Sequence, residues 1–188
     1  MNHISHIKDL EPYIPNIPNI PNIINDIKHN NLYQINKGTS RIVFQFVNPK
    51  LSNLVIKKSI NDNKQNIVES ILFQYAHQTI QSNKIKPFLN PSFLLPYHST
   101  QSINVNQFKF IISVKCNPIT DTKYKIPNNI FNLQGNQSKN FFDYHNIKNW
   151  GIYQNKLKLI DYGFHANINI LNQHKQFNEF LNIIKLNS

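Results

Sequence analysis

The 188-residue chain holds one cysteine, one tryptophan, one methionine and four glycines. A single thiol, Cys116, excludes an intramolecular disulfide and a cysteine-based zinc site, and it fits a reducing, cytoplasmic setting. With so few glycines there is no Rossmann fingerprint and no Gly-Lys-Ser/Thr phosphate loop. Acidic residues number nine against twenty Lys and Arg, a formal net charge of +11, and Arg41 is the only arginine. Such a balance invites a nucleic-acid or acidic-membrane reading. The lysines are scattered, however, whereas nucleic-acid binders concentrate charge on a face or stripe. Long apolar runs are also missing: stretches such as Phe110 to Val114 are far too short to span a bilayer, and Lys8, Asp9 and Glu11 interrupt the region a signal peptide would need. The expectation is a protein that is neither secreted nor membrane-embedded.

What is present is Asn, Ile and Lys in excess, the signature of codons drawn toward A and T. That drift alone can supply asparagine-rich stretches and positive charge, which weakens any ligand argument built on them. A hydrophobic fraction of 40% and an aromatic fraction of 12% argue that the body folds. The length suits one domain with appendages.

Residues 1–30 stand apart. From Tyr13 to Ile23 the chain repeats Ile-Pro-Asn every three residues, a proline spacing that blocks ladders and favours polyproline II. Ile14, Ile17, Ile20 and Ile23 would then line one face of an extended arm, a docking strip for a partner or for the body of the domain. The competing reading is a triplet expansion giving a loose leader.

From Leu32 the pattern turns to period two. Arg41 to Val47 and Asn53 to Lys57 read as strands joined by a turn near Asn48-Pro49, with a preceding strand near Leu32 to Ile35. Asn63 to about Ser82 reads as an amphipathic helix carrying Ile67, Ile71, Leu72, Tyr75 and Ile80, with Asp62 or Asn63 as N-cap. Phe93 to His98 and Phe108 to Lys115 are further strands. After Cys116 the chain is loop-rich as far as Phe141. Trp150 to Tyr153 and Leu157 to Ile160 then form a tight hairpin about Gln154-Asn155-Lys156, and a closing helix is predicted from about Gln173 to Leu186.

The chemistry-bearing pieces are Lys37-Gly38-Thr39-Ser40-Arg41-Ile42-Val43, Val55-Ile56-Lys57, Gln65-Asn66-Ile67-Val68-Glu69, Asn149-Trp150-Gly151 and Leu159-Ile160-Asp161-Tyr162-Gly163. In this order the chain resembles the small protein-kinase-like proteins of phages and other large DNA viruses. The resemblance implies an α+β kinase-like fold, with an antiparallel N-lobe sheet and one helix over residues 31–115 and a strongly truncated C-lobe over 116–188. It also implies ATP and Mg2+ as cofactors.

Under that resemblance Gly38 lets the turn after the first strand approach a phosphate, where a Cβ would intrude; Asn36 and Arg41 occupy the two outer glycine positions of a full loop. Lys57 would touch the phosphates and pair with Glu69, the only acidic residue of the following helix. Lys58 points to the opposite face, so a slip of one residue would exchange the two lysines; the plain alternative makes Lys57 and Glu69 solvated surface residues. Asn149 and Asp161, at the two ends of the hairpin, would hold magnesium through oxygen. Tyr162 replaces the usual phenylalanine of Asp-Phe-Gly. Asp143 would be the catalytic base, one residue further from Asn149 than is usual, with His145 following rather than preceding it.

About two dozen residues follow Gly163, without an Ala-Pro-Glu-like ending. A protein-substrate platform is therefore absent from the sequence or supplied by a protein partner. Three readings stand side by side: a minimal ATP/Mg-dependent phosphotransferase, a catalytically inactive pseudokinase-like interaction module, and a basic nucleic-acid-associated viral protein. His3 and His6 are helically spaced but lie in the leader, and the remaining histidines form no plausible metal set with carboxylates; Cys116 reads as an inert thiol at a strand end.

Overall fold

The computed structural model describes residues 20–60, 64–78, 87–95, 109–120, 123–127 and 146–163. They belong to two compact units. The first contains the chain up to Asn66 and Pro91–Lys115; the second contains Ile67–Asn90 and the chain from Cys116 onward.

The first unit is built on a five-stranded antiparallel sheet. Its strands are β1 (Leu32–Lys37), β2 (Arg41–Phe46), β3 (Leu54–Ser59), β4 (Ser92–Leu95) and β5 (Phe110–Val114), in the order β1-β2-β3-β5-β4. β3 and β5 lie inside the sheet, and their Ile56, Ile111 and Ile112 are fully buried, as expected of strands covered on both faces. β1 is an edge strand with a bulge between Gln34 and Asn36, and its Tyr33 and Ile35 are exposed. Between β2 and β3 the turn expected at Asn48-Pro49 is a 3-10 turn over Pro49–Leu51, with the Asn48 side chain accepting the Lys50 amide. Leu51 anchors it in the core.

The N-terminal expectation needs correction. Of the extended arm assigned to residues 1–30, residues 1–19 lie outside those described, and Ile20–Lys28 forms helix α1. Pro21 falls in the first turn, where a missing N–H costs no intrahelical bond. No further proline follows before the strands, so Ile23 and Ile27, one turn apart, are free to bury a helical face. The helix closes with Asn30 at φ 56° and the Asn31 amide on the Asp26 carbonyl at 2.9 Å. That is a Schellman closure using asparagine in place of glycine.

Helix α2 (Lys64–Gln78) follows β3 as expected; the proposed caps Asp62 and Asn63 and the end near Ser82 lie outside the described residues. Its early part is not one-faced, because Asn66, Ile67, Val68, Glu69 and Ser70 are all buried in succession. Asn66 Nδ2 donates to the Lys109 carbonyl at 2.9 Å and the Lys57 carbonyl at 3.4 Å, and Ser40 Oγ donates to Gln65 Oε1 at 2.6 Å. Polar side chains thus tie the first turn of the helix to the β1–β2 turn and to β3.

The second unit holds a three-stranded sheet of β6 (Asn117–Pro118), β7 (Trp150–Tyr153) and β8 (Lys156–Leu159). The hairpin turn has two residues, Gln154 and Asn155, both at positive φ (49° and 59°), and Lys156 already belongs to β8. Paired left-handed residues are the geometry of a type I′ turn, whose twist matches that of the strands. On the other side of β8, Leu89 makes a parallel bridge to Leu159. Trp150 is buried edge-on to Phe88, with ring centroids 6.2 Å apart. The predicted tail helix lies outside the described residues.

Candidate functional site

Gly38 sits in the exposed turn between β1 and β2, closed by its amide donating to the Arg41 carbonyl at 2.8 Å. A Cβ there would meet nothing nearer than that carbonyl oxygen, at 3.6 Å, an ordinary contact. Nothing within the described chain therefore demands glycine at this turn.

Register decides between the two lysines. Lys57 pairs with Val43 on one side and Ile111 on the other, and it is 6% exposed. Lys58 is half-buried, with its ammonium 6.0 Å from the centroid of the Phe110 ring. Lys57 is the inward residue, so the reading of it as a solvated side chain is wrong. Glu69, in the second unit, is fully buried, and the same correction applies.

The hairpin ends meet as the short connection requires. The Asn149 carbonyl accepts the Ile160 amide at 2.7 Å and the Asp161 amide at 3.3 Å. One oxygen thereby fixes the backbone of Asp161 beside that of Asn149, immediately outside the Trp150–Leu159 pair. Asn149 is half-buried and Asp161 exposed. Among the described residues no three His, Cys, Asp or Glu side chains group to hold a metal ion. Magnesium asks for less than that: one or two protein oxygens, with phosphate and water completing the octahedron. A carboxylate and a carboxamide carried on adjoining backbone positions are of the donor types it takes. Asp143 lies outside the described residues.

Compared with protein-family models, curated proteins and solved structures, the chain gives no match. Its site is therefore read from its own residues.

Three features of the second unit escaped the sequence reading. Tyr162 is buried, and its hydroxyl donates to the Asn90 carbonyl at 2.5 Å. Asn90 also receives the Cys116 thiol at its side-chain oxygen, 3.4 Å away, and donates its amide to the Leu159 carbonyl. Gly151 is required by packing: a Cβ would lie 2.7 Å from the Cys116 Cβ and 3.0 Å from the Asn117 carbonyl oxygen. Lys158 is buried and donates to the Pro87 carbonyl at 2.8 Å. Burial lowers its pKa and Lys156 pushes the same way, against an opposing influence from Cys116. Period two sets Lys158 on the face of the exposed Lys156, with Leu157 and Leu159 on the other, so no local pattern announces its burial; the Asn90 and Cys116 contacts are long-range and leave no local signal either.

Proposed function

We propose that the chain is a reduced protein-kinase-like protein that binds ATP together with magnesium. In this reading Gly38 and Lys57 serve the phosphates, Glu69 is the carboxylate of the helix after β3, and Asn149 and Asp161 offer oxygens to the metal. The observation that carries it is the Asn149 carbonyl bound to the Asp161 amide, since it holds two oxygen-bearing residues at neighbouring backbone positions. Further support comes from the antiparallel sheet of three strands, a helix and two strands, and from the burial of Lys57, which reduces the water screening between its ammonium and an anion.

Bound magnesium would supply charge neutralisation of the phosphate oxygens. The chain's own part is to hold Asp161 and Asn149 in place and to present Lys57. Phosphate transfer requires in addition a base, the role assigned to Asp143.

Melting of the full chain with and without ATP and magnesium tests this reading, because a ligand that binds only the native state raises its stability. At a hundredfold excess over Kd the gain is about 2.7 kcal/mol. An unchanged melting temperature would remove the nucleotide reading. A shift without any ATP turnover, unaltered by Asp143→Asn, would identify the pseudokinase-like module. Steeply salt-dependent binding of DNA or RNA would instead favour the nucleic-acid reading.

A further inference from the structure

One sheet face of the first unit brings together the chain's single arginine, its inward lysine and an unsatisfied hydroxyl. In the β2–β3 ladder Arg41 stands opposite Ser59, and Val43 opposite Lys57. Cross-strand partners share a face, as do residues two apart on one strand. Arg41, Ser59 and Lys57 therefore project from the same side, at 5%, 2% and 6% exposure. The Ser59 hydroxyl oxygen has no hydrogen-bond partner among the described residues. A buried hydroxyl left unmet is unfavourable, and such a group calls for a specific explanation, an absent ligand among them.

We propose that Arg41, Ser59 and Lys57 form one anion site, and that its occupant is the phosphate chain of the nucleotide. The proposal rests on the nucleotide reading above and adds Arg41 and Ser59 to it. Guanidinium is a planar fork that gives two parallel N–H donors to two oxygens of one phosphate. The Lys57 ammonium adds a point charge, and the Ser59 hydroxyl a donor for a further oxygen. Two cations beside a hydroxyl match the charge and the oxygen count of a phosphate better than those of a single carboxylate. The Gly38 amide on the Arg41 carbonyl fixes the backbone from which the guanidinium extends.

Calorimetric titration of the full chain with ATP and magnesium, with adenosine and with inorganic tripolyphosphate tests the site in wild type, Ser59→Ala and Arg41→Gln. The expected result is a several-fold loss of ATP and tripolyphosphate affinity in Ser59→Ala and at least a tenfold loss in Arg41→Gln, with adenosine unaffected. Unliganded Ser59→Ala should melt no lower than wild type, because it removes an unmet hydroxyl. Wild-type affinity for ATP and tripolyphosphate in both variants would overturn the anion site and leave the nucleotide reading standing. Wild type that binds tripolyphosphate as tightly as ATP, and adenosine not at all, would overturn the nucleotide reading, and the variants would still decide the anion site. If Arg41→Gln fails to fold, the near-isosteric Ser59→Ala decides alone: lower melting with unchanged affinity marks a structural hydroxyl and overturns the proposal.

Discussion

The Tyr162 hydroxyl donates to the backbone carbonyl of Asn90 at 2.5 Å, from a ring that is almost wholly buried. The hydroxyl of this residue thus has a defined structural task. Tyr162→Phe keeps the packing and removes the donor. The expected loss is about 1–2 kcal/mol of unfolding free energy, measured by urea denaturation, with the slope unchanged.

Gly151 is required by the approach of β6, whose neighbour Cys116 places its Cβ 2.7 Å from where an alanine methyl would stand. Gly151→Ala is expected to destabilise by about 1–3 kcal/mol through overpacking. The contact is specific, so Cys116→Gly in the same chain should recover part of the loss, and a double-mutant cycle would read the coupling. Additive effects would show that the crowding lies elsewhere.

Lys158 gives a pH dependence with a definite sign. Burial lowers its folded pKa below the ordinary 10.5, so at pH values below both pKa values the charged amine disfavours the fold. Between the folded pKa and 10.5 the unfolded chain binds more protons than the native chain, and stability rises with pH. Lys158→Met should remove that rise. Subtracting its melting profile from that of wild type between pH 7 and 10.5 isolates the contribution from the other lysines; a flat difference would contradict the shift.

Lys57 and Lys58 are adjacent in sequence yet differ in burial, and the proposed function gives a role to Lys57 alone. Lys57→Met should abolish the stabilisation of the chain by ATP and magnesium, whereas Lys58→Met should retain most of it. Equal effects, read by thermal melting, would mean that the inward position has no special part in binding.

Much of the fold is legible in the sequence. Alternating residues between Arg41 and Val47, the Asn48-Pro49 turn and the Trp150 hairpin are local patterns, and local patterns survive into the structure within a residue or so. What failed was context-dependent. The triplet repeat argued for polyproline II through Ile23, but Pro21 is harmless in a first helical turn and Ile23 and Ile27 are spaced for a helix. The choice between Lys57 and Lys58 needed the pairing of β3 with β2 and β5, which no local spacing encodes. The same holds for the site. Asn149 and Asp161 could be matched by their distance along a hairpin, whereas the co-facial set of Arg41, Ser59 and Lys57 exists only through strand register.

The most direct measurement is calorimetric affinity for ATP, with magnesium and with a chelator, in wild type and in Asp161→Ala. The Asn149 carbonyl on the Asp161 amide fixes the backbone of the proposed metal site, and Asp161 is exposed, so the substitution removes a ligand oxygen without opening a core. The expected result is that magnesium strengthens ATP binding to wild type at least tenfold and leaves Asp161→Ala almost unchanged. An equal gain from magnesium in both proteins, or no binding of ATP to wild type, would contradict the assignment of this hairpin as the metal site.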